Sequence, residues 1–235
     1  MVTNGSTLKN LAIALLRTET ERDKQYKVGA SQISNPCTKH LAMALAGVPQ
    51  LPSKYWLGAV VGTAVHSALE AAIAKSDAPE LQGALVEQKI ILGEIQGYGV
   101  VSSKPDLILP SINHLVDWKT STRAKTKKIQ AWVDGVKQDA STTYTMQKYI
   151  GQTQLYGWGA TQLGYQIDNI SLVFVNRDGT NENDVLEYTF AYDESIAVAL
   201  WDRLVVLWEE LQAGAHPESY PGNAECFNCS VSGLV

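Results

Sequence analysis

The chain has 235 residues, 45% of them apolar and 18% charged, with a formal net charge of −5. That balance excludes a disordered or fibrous protein and leaves ample length to bury a core. No apolar run reaches the length of a membrane span, and the polar opening MVTNGSTLKN lacks a signal peptide's basic start and apolar centre. Three cysteines, an odd number, argue against a secreted disulfide scaffold. A reducing, cytoplasmic setting without a membrane partner is therefore expected. An acidic chain that binds nucleic acid must do so through a local basic patch. Arg123, Lys125, Lys127 and Lys128 in STRAKTKKIQ form one candidate, whose alternative reading is a solvated face.

In chain order, Leu8, Leu11, Ala12, Leu15 and Leu16 recur at helical spacing behind a serine cap at Ser6. A second helix is expected from near Thr38 to Gly47, with a loop marked by Pro49 and Pro52. The alanine-rich stretch from Gly58 to Lys75 reads as a buried helix. Three strand-like runs follow, ALVEQKIILG, GVVSSKPDLIL and HLVDWKT. After the basic stretch comes a helix near Met146 to Leu163, carrying several aromatics. DNISLVFVN and VLEYTFAY are two more strands about a turn at Asp178 and Gly179, and an amphipathic helix runs from Asp193 to Gln212. Helices before, between and after mostly antiparallel strands predict one α/β domain over 1–235. It divides into a helical N-terminal region (1–57), a core (58–192) and a C-terminal helix with a cysteine-bearing tail (193–235).

The segment KPDLILPSINHLVDWKTS carries the chemistry. Residues two apart on a strand share a face, so Asp117 and Lys119 project together while Val116 and Trp118 point the other way. A turn over Pro110 to Asn113, closed by Leu109 and His114, places Asp106 opposite Asp117. Two carboxylates opposed in this way destabilise a sheet unless a cation offsets them, and all-oxygen ligation favours Mg²⁺ or Mn²⁺. A lysine two residues beyond the second carboxylate can orient or deprotonate a water, or stabilise developing charge. Metal and lysine together suit phosphodiester hydrolysis. The competing reading is an ordinary salt-bridged hairpin.

Pro105-Asp106 and, after ten intervening residues, Asp117-Trp118-Lys119 resemble the signature of the PD-(D/E)XK nucleases. Three flanking features are similar to the RecB-like branch, which includes the AddB nuclease domain, CRISPR-associated RecB-like exonucleases and phage recombination exonucleases. GTAVHSALE resembles the branch's Gly-x-x-x-His helix and sets His66 and Glu70 one turn apart. LVEQKI places Glu87 where the branch has an acidic strand, read here as a network member rather than a ligand. YIGQTQLYGWG matches Gln-x-x-x-Tyr at Gln152 and Tyr156, with Tyr149 on the same face.

The resemblance covers about Gly62 to Gly159. It implies a restriction-endonuclease-like α/β fold, a central mixed β-sheet flanked by helices. It also implies a metal held by His66, Asp106, Asp117 and the Trp118 carbonyl, with Lys119, Gln152 and Tyr156 at the reaction centre and Glu70 and Glu87 in support.

Some RecB-like exonucleases hold a 4Fe-4S cluster with one upstream cysteine and three near the C-terminus. Cys37 and the pair Cys226 and Cys229 match three of those positions, and the fourth cysteine is absent. Three thiolates suit a cluster with one open iron, or Zn²⁺ completed by His40 or His216, and the alternative is three plain thiols. The resemblance thus implies a Mg²⁺- or Mn²⁺-dependent DNA exonuclease of bacterial or phage recombination or repair, acting in the bacterial or phage-infected cytoplasm. DNA ends, and a recombinase or single-strand-binding protein, would be its partners. Two rival readings are a non-catalytic DNA-binding or scaffold protein on the same fold and an iron-sulfur sensor.

Overall fold

The computed structural model describes residues 6–16, 27–48, 56–227 and 229. The expected loop prolines Pro49 and Pro52 lie outside these. The N-terminal part contains α1 (Ser6–Leu16), α2 (Ala30–Ile33), α3 (Thr38–Leu45) and α4 (Trp56–Ile73). On α1 the apolar side chains Leu11, Leu15 and Leu16 are exposed. Cys37 caps α3, its sulfur accepting from the His40 backbone N–H. The alanine-rich α4 is not the buried helix expected. Its described residues are half-buried or exposed, and it rests against the sheet along one side. Small side chains there favour the helix without making it a core element.

Beyond α4 the strands are β1 (Leu85–Val86), β2 (Ile90–Ile95), β3 (Gly99–Ser103), β4 (Leu107–Leu109) and β5 (His114–Ser121). Two runs read as single strands are each divided between two sheets. ALVEQKIILG breaks at Glu87, whose φ of +49° turns the chain. GVVSSKPDLIL breaks at Lys104-Pro105, because proline has no N–H for a ladder. In each case the N-terminal and C-terminal halves join different partners, so β2 pairs only with β3 while β1 pairs with β4.

The basic stretch forms a helix not anticipated from its charge, α5 (Arg123–Val133), capped by Thr122. Its apolar side, with Ile129 fully buried, packs on α6 and the sheet. α6 (Ala140–Gln162) starts earlier than expected because Asp139 accepts from the Thr142 N–H at 3.0 Å and caps it. β6 (Asn169–Asn176), β7 (Val185–Ala191) and α7 (Glu194–Gln212) complete the chain of elements.

The central five-stranded sheet has the order β1-β4-β5-β6-β7 and is mixed. Every neighbour pair is antiparallel except β5 and β6, which run parallel over eight residue pairs from His114↔Asn169 to Ser121↔Asn176. A parallel neighbour needs a long crossover, and α5 with α6 supplies it. Alternation on the strands sorts the two faces. Leu115 on β5, Ile108 on β4 and Ile170 on β6 join Leu155 and Ala160 of α6 in the main core. Leu107, Leu109 and Val116 pack against Ile73 of α4 on the other face. With helices on both faces, β4 through β6 can be apolar in successive residues.

The hairpin β2–β3 lies against α6 and carries an irregularity at Gly93. A Cβ at Gly93 would enter the indole of Trp201 on α7, which packs on Trp158 at 5.5 Å between centroids. Substituting Gly93→Ala should therefore destabilise the protein by about 1–3 kcal/mol, the usual cost of overpacking. Urea unfolding followed by tryptophan fluorescence checks this, and an unchanged midpoint would mean that the indole moves freely.

Candidate active site

The hairpin register anticipated from sequence is present. Leu109 faces His114, Ile108 faces Leu115 and Leu107 faces Val116, and a single 3₁₀ turn over Pro110–Ile112 ends at Asn113 in the left-handed region (φ +53°). One further step along the register would set Asp106 opposite Asp117, as the sequence predicts. The ladder stops at Leu107, and the Asp106 side chain takes over, Oδ2 accepting from the Trp118 backbone N–H at 2.8 Å.

Helix α4 delivers His66 to this point. Its Nδ1 lies 3.0 Å from Asp106 Oδ1 and its Nε2 lies 3.1 Å from the Trp118 carbonyl oxygen. The hydrogen bond to Asp106 raises the His66 pKa above the usual imidazole value, against the opposing effect of burial. Glu87 completes the group: ligand atoms of His66, Glu87 and Asp106 all lie within 4.8 Å of one another. The sequence pattern alone gives Glu87 a supporting role. Its left-handed backbone, rare for a residue with a side chain, carries its carboxylate to the site. Glu70 is half-buried one turn after His66 and is not part of this convergent trio.

Lys119, next to Asp117 on the same side of β5, reaches toward α6. Lys119 Nζ is 2.5 Å from Asp117 Oδ2 and donates to Gln152 Oε1 at 3.1 Å. Gln152 in turn donates to the Tyr156 hydroxyl at 2.6 Å, so the two residues one turn apart on α6 form a relay to the lysine. Burial pushes the Asp117 pKa up to about 6, with the Asp106 charge adding to it and Lys119 opposing it. Burial acts against the Lys119 ammonium as well, but the Asp117 charge outweighs it and the lysine pKa rises. The Asp117 Oδ2 atom is fully buried, and its close partner is the Lys119 ammonium. Two neighbouring buried acids together with an imidazole, a further carboxylate and a backbone carbonyl are a donor set that a hard divalent cation would stabilise.

Of the basic patch, Lys125 and Lys128 line a cleft of about 410 Å³ between α5 and α6, and Lys127, exposed on α5, is not part of its lining. Lys125 Nζ lies 5.6 Å from the Tyr149 ring centre, and Lys119 Nζ lies 4.8 Å from it. Arg123 is engaged within the fold. Its guanidinium donates to both Asp184 carboxylate oxygens at 2.6 Å and to Thr180 at 2.8 Å, which fixes the β6–β7 connection to the start of α5.

The cysteines meet as the resemblance implied. Cys37, Cys226 and Cys229 are buried, unbridged, and within 4.8 Å of one another, with Cys37 Sγ 3.4 Å from Cys229 Sγ. Cys37 raises no charge of its own, since its bond to Cys226 and burial push its pKa up, while the same bond lowers that of Cys226. The His40 side chain also bonds Cys226, whereas His216 caps a short turn away from the trio. Three convergent thiols fit a thiophilic metal or cluster, with three of its ligands supplied.

Neither a protein-family profile nor a curated protein sequence matches the chain. Solved structures do. An alkaline exonuclease from Laribacter hongkongensis superposes with a TM-score of 0.51 at 16% identity, over 82% of this chain and 91% of that one. The same enzyme in complex with dAMP gives 0.50 at 15% identity, over 80% and 89%. This chain has a nuclease-like fold. A protein designated SSO0001 also aligns, at 19% identity over 85% of this chain and 83% of that one, with a TM-score of 0.46.

The Arg123–Asp184 contact gives a pH test of the local architecture. Arg123, with the Thr180 backbone N–H, holds the Asp184 carboxyl well below the usual range. A depressed acid stabilises the fold above the unfolded carboxyl's pKa of about 3.9, and the effect is lost as pH falls through the folded value. Asp184→Asn should thus melt below the wild type at pH 7, and the gap should narrow below about pH 4. Equal melting at pH 7 would mean that the pair contributes nothing.

Proposed function

We propose that this protein is a Mg²⁺- or Mn²⁺-dependent deoxyribonuclease, an exonuclease of DNA recombination or repair. The observation that carries the reading is the convergence of His66, Glu87 and Asp106 around the Trp118 carbonyl, with the Asp117–Lys119 pair on the adjoining positions of one strand. The likeness of the fold to an alkaline exonuclease supports it. A phosphodiester hydrolase needs two things that this donor set offers: oxygen-rich ligation for a hard cation, and a positioned ammonium.

His66, Glu87, Asp106, Asp117 and the Trp118 carbonyl would hold the cation. When bound, it would supply Lewis-acid polarisation of the phosphate and a more acidic water. Lys119, held by Asp117 and Gln152, keeps its ammonium charged at the strand's end, where it orients the attacking water or stabilises the charge that develops on phosphate. Tyr156 and Gln152 fix the lysine and thereby its direction. Burial pushes the Tyr156 pKa well above the ordinary phenol value, so the hydroxyl stays neutral. Lys125 and Lys128 lie where the polynucleotide backbone would run. DNA ends as the substrate, and a recombinase or single-strand-binding protein as a partner in a bacterial or phage-infected cell, belong to the same proposal.

Lys119→Ala should lower the rate of cleavage of end-labelled linear DNA by about 10²–10⁴-fold, as expected for loss of a positioned proton-transfer group. Wild-type cleavage should stop with EDTA and return with Mn²⁺. Activity of the alanine variant near the wild-type level would remove Lys119 from the chemistry, and EDTA-resistant cleavage would remove the metal.

A second part of the proposal is that Cys37, Cys226 and Cys229 bind a metal or an iron-sulfur cluster that fastens the tail to the start of α3. Such a link closes a loop of nearly the whole chain, where a cross-link restricts the unfolded state most. Serine at any one of the three should release the metal and lower the melting temperature by a similar amount, because all belong to one site. Elemental analysis and thermal melts of the three variants check this. Unequal small shifts with no bound metal would make them unrelated thiols.

A further inference from the structure

Beside the proposed reaction centre lies a second cleft, of about 350 Å³, between α6 and the cysteine-bearing tail. That volume falls at the lower end of the about 300–1,000 Å³ typical of small-molecule sites. Tyr144, Tyr149 and Phe227 bring aromatic rings to its lining, Lys148 an ammonium, and Asn35 and His40 polar edges. Thr145 lines this cleft and the Lys125–Lys128 cleft alike, so the two adjoin across α6. Tyr149 connects the cleft to the reaction centre, because the Lys119 ammonium sits over its ring.

Lys148 is the feature without a use in the fold. It is half-buried, and among the described residues no carboxylate lies within ion-pair distance of it, although Glu225 lines the same cleft. Burial holds its ammonium below the ordinary lysine range, and Lys119 and Lys125 push in the same direction. An ammonium in a partly desolvated cleft, with two more close enough to repel it, is costly unless an anion joins it. One turn separates Lys148 from Gln152, which bonds Lys119, so the anion would lie next to the reacting group. Rings, an unpaired cation and hydrogen-bonding edges in one cleft are the recognition elements of a nucleotide: a base to stack and a phosphate to neutralise.

We infer that this cleft binds one nucleotide of the substrate strand, flanking the scissile phosphodiester, with Lys148 holding its phosphate and the Tyr144, Tyr149 and Phe227 rings bordering its base. The inference rests on the nuclease reading for its place in a reaction, but its binding test does not. Calorimetric titration of the full chain without added divalent ion would compare thymidine monophosphate, thymidine and inorganic phosphate. The monophosphate should bind more tightly than either fragment. Lys148→Met, which keeps the length of the stem, should weaken monophosphate binding about tenfold or more, the effect of one hydrogen bond to a charged group. Thymidine binding should not change, and Lys148→Arg should retain most of the affinity. On an oligonucleotide substrate, Lys148→Met should raise KM with little change in kcat.

Should Lys148→Met melt below the wild type, Lys148→Gln gives the same comparison. A monophosphate that binds no better than phosphate, or equal binding by wild type and both variants, overturns the pocket and leaves the nuclease reading intact. A wild type that cleaves no polynucleotide, yet loses monophosphate binding on Lys148 substitution, keeps the pocket and rejects the nuclease.

Discussion

Two buried carboxylates, one just before β4 and the other within β5, set the terms for the rest of this structure. Asp106 and Asp117 are both largely removed from water, and burial together with the neighbouring Asp106 charge makes ionisation of Asp117 costly. Polar groups arrive from every side to meet that cost. Trp118 gives a backbone N–H and His66 an imidazole to Asp106, while Lys119 gives an ammonium to Asp117. These partners come from different elements, so the acids are satisfied only when α4, the β4–β5 hairpin and α6 are all in place. The arrangement favours a site assembled by the fold over one carried on a mobile loop, which suits chemistry that depends on fixed geometry.

Helix α6 is the common support. Successive turns place Lys148, Gln152 and Tyr156 along one side, while Leu155 and Ala160 enter the main core. Anchoring by the core on one side and a polar row on the other gives the helix little freedom to shift, so Lys119 meets a fixed acceptor. The same helix borders both clefts and carries Tyr144, which packs on the cysteine trio and bonds Asn35. The candidate reaction centre and the cysteine site thereby share one rigid body some turns apart.

Much of this was legible in the sequence because it is local. The register of the β4–β5 hairpin followed from one proline-bearing turn and period-two alternation, and the helical spacing of Gln152 and Tyr156 followed from position alone. What was not legible depended on long-range contact. Nothing near Glu87 announces a left-handed backbone at which one strand-like run leaves one sheet for another, so its carboxylate was assigned a lesser role than its position warrants. Arg123 read as part of a phosphate patch because its partner Asp184 lies 61 residues away. The parallel pairing of β5 with β6 is hidden for a related reason: the charge of α5 masks its helical character, which Thr122 as a cap and the buried Thr126 and Ile129 mark.

The central claim is that His66, Glu87 and Asp106 form a cation site on which the polar architecture converges. Calorimetric titration of Mn²⁺ into the wild type and into Glu87→Gln tests it most directly, since Glu87 takes no part in the hairpin register and its amide is isosteric with the acid. A single Mn²⁺ site that Mg²⁺ displaces, weakened about tenfold or more in Glu87→Gln, is the predicted result. Equal Mn²⁺ affinity in the two proteins, or no binding to either, would contradict the account.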